Sequence, residues 1–333
     1  MRWLALNGAR TAVASRVPWT AVRALCSAAA IAWVLHATPL HAIVAALRQA
    51  SWPIVLAGMA LALLARLAAA ERSQVVCRAL GLVVSRWQNI ETLFISNFYA
   101  LLSPGPVLGG VVSVYRYSSF GASLSGSIGS LLASRAVEAA VFIIIGTACL
   151  LLDRNIALIS VRYPLGLAAA GVLAVAAATT CWWLVHQRWM QRGGARAHIR
   201  PAGALRAMWH DFMRLGPRMA WRAAIPAAAQ VALSGAATCV LARSLGIELS
   251  LITAIWVTAA VYAVVLLPIS VAGLGVRDLT LIKSLALLGV SSRSAVALSV
   301  LLFADPFVNA MIGGALQIRS TIAAARRRRT VPV

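Results

Sequence analysis

Two adjacent charges, Arg277 and Asp278, follow a break in an apolar stretch that contains Gly273 and Gly275. In a membrane, irregular backbone and charges are tolerated only where protein or water surrounds them, and such charges are functional candidates. A helix that begins after the break would offer free N–H groups and an arginine fork, which suit an anion such as a lipid phosphate. The pair predicts either an anion site in which Asp278 caps the helix and holds Arg277, or a neutral ion pair that only fixes the backbone.

A second acid, Asp305, lies near the middle of the last apolar run and is followed by Pro306 and Asn309. Asn309 is four residues further on, so the two polar side chains share one helix face. The acid could carry a proton or balance a basic substrate pocket. Alternatively, it is a structural partner of Arg277 or Arg116.

Arg135 and Glu138 are three residues apart at the predicted start of another apolar run, where they can pair on one helix face. The alternative is that their side chains reach to a membrane surface without any functional role. Arg116 follows an earlier break at Pro104, where it could mirror Arg277.

The composition indicates a membrane protein that crosses the bilayer several times. The chain is 61% hydrophobic and 11% charged, against about 25% charged residues in ordinary soluble domains. It has 30 Lys+Arg and 8 Asp+Glu, a net charge of +22. Most arginines flank apolar runs, which favours membrane topology signals over nucleic-acid binding. No metal-ligand spacing, nucleophile–base pair or phosphate-cradling loop is present, so neither a cofactor nor an enzymatic activity is predicted.

The apolar runs predict an all-α membrane protein with about six full spans, each of which needs about 20 residues. The predicted spans are residues 24–40, 52–70, 135–152, 164–186, 223–245 and 294–317. Residues 73–87 are predicted to form an amphipathic helix on the membrane surface. The basic loop 187–222 and the basic tail 319–333 are predicted to be cytoplasmic, as are both termini.

The segments predicted to be cytoplasmic determine on which side of the membrane each span begins and ends. Two segments, 90–134 and 250–293, must then each begin and end on the same side of the membrane. Each contains an apolar hairpin broken by Pro and Gly, at residues 104–110 and 268–275. The two hairpins would enter from opposite faces, the pattern of inverted-repeat transporters with a site at the midplane. The alternative is a pair of ordinary two-span hairpins with Pro kinks. Residues 1–333 form one predicted membrane domain with halves 1–186 and 223–318.

The residues of both breaks resemble the signatures of the lysylphosphatidylglycerol synthase transmembrane-region family, which are flippase-like membrane proteins. Residues 267–303 resemble the second signature, and Asn97, the run SPGPVLGG (103–110), Arg116 and Arg135 resemble the first. The first signature departs from the pattern. Gly110 and Ser134 stand where acids are expected, and Ser113 stands where an arginine is expected.

The resemblance implies a protein of a bacterial-type cytoplasmic membrane that moves or presents an anionic or phosphate-bearing lipid. It implies no lysyl-lipid synthesis, because the chain has no room for a soluble aminoacyl-transfer domain. An alternative is a non-transporting accessory protein that binds lipid and recruits or regulates a lipid-modifying enzyme through the basic loop. The oligomeric state is not predicted. The predicted substrate-binding residues are Arg277, Asp278, Asp305, Asn309, Gly273, Gly275, Arg116, Arg135, Glu138, Asn97, Pro104 and Gly109.

Overall fold

The computed structural model describes residues 48, 50–102, 107–153, 217–266 and 275–329. All regular secondary structure in these ranges is α-helical, as predicted. The helices, in chain order, are α1 (Trp52–Ala79), α2 (Arg86–Leu102), α3 (Val107–Ser119), α4 (Leu124–Leu152), α5 (Pro217–Arg243), α6 (Leu251–Leu266), α7 (Val276–Leu287) and α8 (Ser292–Arg329).

Four of these helices are long and apolar enough to cross a membrane: α1, α4, α5 and α8. The structure therefore confirms a helical, multi-pass membrane protein. The predicted spans 24–40 and 164–186 lie outside the described residues, so the count of six remains a prediction. The helix α6 is apolar but shorter.

Helix α1 corrects one prediction. The predicted span ended at residue 70, with a separate surface helix at 73–87, but α1 continues without a break to Ala79. Its continuation buries Arg72 and Gln74 against other helices, so these polar residues do not mark an aqueous boundary. The chain turns at Gly81, whose φ of 72° lies in the left-handed region that glycine adopts without strain.

Helix α4 corrects a second prediction, because it begins at Leu124 and not near residue 135. The Ser123 hydroxyl caps it by accepting a hydrogen bond from the Gly126 N–H at 3.1 Å. The Ser127 and Ser130 hydroxyls donate to carbonyls of the preceding turn, so the serine-rich sequence is compatible with a helix. Arg135 and Glu138 therefore lie well inside α4.

Two further boundaries differ from the prediction. Helix α5 begins at Pro217, so the end of the predicted basic loop 187–222 is helical. Helix α8 continues to Arg329, which makes most of the predicted basic tail 319–333 part of the last helix. In both cases the helix extends beyond the apolar run, because arginine has a high helix propensity.

Both predicted breaks fall between helices. Helices α2 and α3 flank residues 103–106, and helices α6 and α7 flank residues 267–274. Both segments lie outside the described ranges. Gly109 and Gly110 belong to α3 and not to the break. The re-entrant geometry of the two hairpins remains a prediction.

The described helices pack in two groups. Helices α1, α4, α5 and α6 form the first group, in which α1 and α5 have the most extensive contact, and α2, α3 and α8 form the second. Helix α7 contacts α6 and α8. A shared apolar core joins Leu241 of α5, Trp256 of α6, Leu285 of α7 and Leu298 of α8. The contact between α1 and α8 is much smaller than the contact between α1 and α5 or between α2 and α8.

Candidate functional site

The first turn of α7 holds the predicted Arg277–Asp278 pair. Helix α7 begins immediately after Gly275, whose φ of 81° requires the conformational freedom of glycine. The Gly275 N–H donates to Asp278 Oδ2 at 3.2 Å. A carboxylate in the first turn also interacts favourably with the positive end of the helix. The predicted capping role of Asp278 is confirmed.

Three groups contact the Arg277 guanidinium: the Asp278 carboxylate, the Ser299 carbonyl and the Phe303 ring. Its Nε and Nη2 donate to Asp278 Oδ1 at 3.1 and 2.9 Å, and Nη2 also donates to the Ser299 carbonyl of α8 at 3.2 Å. The guanidinium lies 5.4 Å from the centre of the Phe303 ring. The Arg277 and Asp278 side chains are 18% and 19% exposed, so the pair is mostly buried but accessible.

A second cluster surrounds Glu138, near the middle of α4. Arg72 Nη2 and Arg135 Nη1 lie 3.1 and 2.9 Å from Glu138 Oε2, and Gln230 Nε2 donates to Oε1 at 2.8 Å. Arg72 Nη1 also donates to Gln230 Oε1, and Arg72 Nε donates to the Ser134 hydroxyl at 3.2 Å. The predicted Arg135–Glu138 pair is confirmed. The alternative of surface-reaching side chains is wrong for Glu138, which is 4% exposed.

A third cluster joins α1 to α8. Arg66 Nη2 lies 2.5 Å from Asp305 Oδ2, and Asn309 Nδ2 donates to Asp305 Oδ1 at 2.7 Å. The shared helix face of Asp305 and Asn309 is thus confirmed. The partner of Asp305 is Arg66, and the alternative that Arg277 or Arg116 pairs with it is wrong.

A fourth cluster lies between α2 and α3. Arg116 Nη2 lies 3.1 Å from Glu91 Oε2, and Arg116 Nε donates to the Thr92 hydroxyl at 3.2 Å. Its guanidinium lies 5.6 Å from the centre of the Phe120 ring. Arg116 therefore has the same kinds of neighbour as Arg277, namely one carboxylate and one phenylalanine ring.

The remaining predicted residues belong to the packing around this fourth cluster or lie outside the described ranges. Gly109 of α3 lies against α2, where an added Cβ would be 2.7 Å from the Ser96 carbonyl oxygen. Asn97 is half-buried on α2. Pro104 and Gly273 lie outside the described residues.

The sequence did not identify several residues that complete these clusters: Arg66, Arg72, Glu91, Gln230 and Tyr262. The available signal was the apolar sequence on both sides of Arg66, which places an arginine inside a span.

Long apolar helices that carry ion pairs in their interior define a polytopic membrane protein. A family model, described as the lysylphosphatidylglycerol synthase TM region, matches residues 20–314, and the chain belongs to this family. A search of curated proteins finds no match for the chain.

Proposed function

We propose that the protein is a lipid translocase that moves an anionic or phosphate-bearing lipid across the membrane. The observation that carries this proposal is the site at the start of α7. There, an accessible arginine and the N-terminus of a helix lie together beside a break in an apolar segment. Helix N-termini of broken helices bind anionic substrate groups in several transporter folds. The family membership supports a role in lipid modification or movement.

In this proposal the lipid phosphate binds Arg277 in competition with Asp278. Arginine presents several donors in a planar fork, so Arg277 can keep one bond to Asp278 while it binds a phosphate oxygen. The Phe303 ring lies over the guanidinium and supports its orientation. Binding that weakens the Arg277 bond to the Ser299 carbonyl would loosen α7 from α8. Such loosening would let the second hairpin move.

The proposal assigns transport without covalent chemistry, in a bacterial-type cytoplasmic membrane with both termini inside. The other predicted function, an accessory protein that acts through the basic segment 187–222, concerns residues that lie largely outside the described ranges. No contact of the described residues supports it.

A lipid-scrambling assay tests the proposal. The full chain is reconstituted in vesicles that contain fluorescent phosphatidylglycerol, and the fraction of lipid that crosses the bilayer is followed with time. Arg277→Ala is expected to slow translocation at least about tenfold, because a charge-assisted hydrogen bond to a phosphate contributes about 1.5–3 kcal/mol.

The matched control is Arg293→Ala, which removes an exposed arginine at the start of α8. This variant should translocate lipid at the wild-type rate. Equal rates for wild type and Arg277→Ala across anionic, zwitterionic and aminoacylated lipids would show that the α7 site does not carry lipid.

A further inference from the structure

Asp305 is an ionisable group inside the membrane-spanning helix α8 that is not closed off by the protein. Its side chain is 15% exposed, and that of its partner Arg66, in the spanning helix α1, is 36% exposed. Charged side chains at such depth face protein or a water-filled cavity, and acids among them often take part in proton relays. The exposed part of the ion pair therefore lies where a proton can arrive or leave.

The Arg66–Asp305 pair joins α1 to α8, which otherwise have little contact. If these two helices separate, the Asp305 carboxylate loses its counter-ion in apolar surroundings. An ionised carboxylate without a counter-ion is so costly there that the group takes up a proton and becomes neutral. Separation of α1 from α8 and protonation of Asp305 are therefore linked.

Asn309 supplies an independent observation. Its Nδ2 donates to Asp305 Oδ1 at 2.7 Å, whereas its Oδ1 is buried and accepts no hydrogen bond from the described residues. Buried acceptors normally have a donor. A carboxylate can only accept hydrogen bonds, but a carboxylic acid has an O–H group to donate, and rotation of the amide turns Asn309 Oδ1 toward it. Asn309 can therefore serve both the charged and the neutral form of Asp305.

Arg66 is the charged neighbour that balances Asp305. Helix α8 packs against α1, α2, α5 and α7. In the part of the chain that the structure describes, every other charged residue of these four helices is either in a different ion pair or exposed. The ion pairs are Glu71 with Arg86, Arg72 with Glu138, Glu91 with Arg116, and Arg277 with Asp278. The exposed residues are Arg78, Arg218, Arg222, Arg243 and Lys283.

We propose that Asp305 is a proton-binding site and that translocation is coupled to the proton it carries, so that the protein is a proton-coupled transporter and not a passive scramblase. The Arg66–Asp305 ion pair is the deprotonated state, in which α1 and α8 are held together. Protonated Asp305 bonded to Asn309 is the state in which they are apart. This inference rests on the proposed function, because it names the ion whose movement drives the translocase.

Each cycle moves one proton and breaks no covalent bond of the protein or the lipid. Asp305 takes the proton from water on one side of the membrane as Arg66 leaves it, and the carboxylic acid then donates to Asn309. When α1 and α8 approach again, Arg66 displaces the proton, which passes to water on the other side. Asn309 then donates to the Asp305 carboxylate again.

Vesicles that contain the full chain, with a pH difference across their membrane, test the coupling. They carry fluorescent phosphatidylglycerol, with valinomycin and equal potassium on both sides so that no voltage develops. For one proton per lipid, a difference of about one pH unit should shift the final distribution of the lipid between the two leaflets about tenfold. Coupled exchange is reversible, so this shift does not depend on the orientation of the protein. Its direction shows whether proton and lipid move together or in opposite directions.

Asp305→Asn keeps the size of the side chain but cannot bind the proton, so the pH difference should leave its lipid distribution unchanged. Arg66→Gln should give the same result, because nothing displaces the proton, and it decides the outcome if Asp305→Asn does not fold. The matched control is Glu248→Gln, which removes an exposed acid before α6 and should keep the full shift. A full shift in both Asp305→Asn and Arg66→Gln would overturn the coupling, as would its absence in the wild type.

Infrared difference spectra of the purified full chain detect the proton without transport. In Arg66→Gln, Asp305 has no counter-ion, so a protonated carboxyl band should be present already in neutral solution and absent from the double variant Arg66→Gln/Asp305→Asn. A missing band would overturn the proton site, even if the lipid is translocated. The band together with no translocation by the wild type would keep the proton site and reject the translocase. Translocation that ignores the pH difference would keep the translocase and reject the coupling.

Discussion

At the scale of single residues, the main feature is a glutamate that is shared by two arginines inside a helix bundle. Glu138 accepts bonds from Arg72, Arg135 and Gln230 and is almost fully buried. Removing one partner of a buried ion pair costs much more than removing an exposed one, because the remaining charge is left unpaired in a low-dielectric medium. Glu138 is therefore expected to stabilise the fold as well as to orient Arg135.

Replacing Glu138 with Gln should lower the free energy of unfolding by about 3–5 kcal/mol, because Arg72 and Arg135 would then repel each other without a counter-ion. Denaturant unfolding in mild detergent measures this. The control is Glu71→Gln, which removes the acid of an exposed pair with Arg86 and should cost less than about 1 kcal/mol. Equal losses in the two variants would contradict the structural role of the cluster.

At the scale of helices, small residues determine how closely neighbours approach. Gly313 of α8 lies directly against the Phe94 carbonyl of α2, Gly235 of α5 lies against Ile255 of α6, and an added Cβ would clash at each position. Such close approaches are typical of membrane helices, whose association depends on packing and not on apolar burial from water. The contact between α2 and α8 holds together the second group of helices.

Replacing Gly313 with Ala should destabilise the protein by about 1–3 kcal/mol, because the Phe94 carbonyl is backbone and cannot rotate away. Thermal unfolding in detergent measures the shift. Gly129→Ala in α4 is the matched control, since its added Cβ would meet no atom of the described residues within 4 Å, apart from the chain next to it. That control should be neutral or stabilising by up to about 1 kcal/mol, as for Gly→Ala in other helices. An unchanged midpoint in Gly313→Ala would contradict the close packing of α2 and α8.

At the scale of the whole molecule, an ion pair bridges α1 and α8, two helices of different groups that otherwise have little contact. Arg66 belongs to the group of α1 and α5, whereas Asp305 belongs to the group of α2 and α8. The pair is partly exposed, so it is accessible to solvent or to a headgroup. We expect it to hold the two groups together while the lipid site is empty.

Replacing Asp305 with Asn should therefore increase amide hydrogen exchange in α8 and α2, by about tenfold, but not in α5. The reason is that a charge-assisted bond contributes about 1.5–3 kcal/mol, whereas α5 stays packed on α1. Glu248→Gln, at an exposed position before α6, serves as the control and should leave exchange unchanged. Equal increases in α5 and α8 would show that the ion pair stabilises the whole fold and does not act between the two groups.

Much of the fold could be predicted from the chain itself. The long apolar runs indicated a helical membrane protein, and the Pro- and Gly-rich segments indicated the interruptions between α2 and α3 and between α6 and α7. Helix ends were less predictable. The span ending at residue 70 and the span starting near residue 135 were both too short, because the arginines and serines beyond them find partners inside the protein.

The contacts of the candidate site were likewise predictable only in part. Local pairs, such as Arg135 with Glu138 and Asp305 with Asn309, follow from sequence spacing, because residues three or four positions apart on a helix are neighbours. Pairs between distant segments do not follow from spacing. Arg66 and Asp305, for example, are 239 residues apart in the chain.

By itself, the sequence determined the class of this protein: a helical membrane protein with charges at its apolar breaks, because hydropathy and helix periodicity are local properties. Only the tertiary structure decided which charged side chains pair with each other and which of them remain accessible. It buries Arg72 against Glu138 and leaves Arg135 accessible, although both are arginines in apolar helices. The difference arises because ion pairing depends on which helix faces meet, and helix packing is a property of the whole fold.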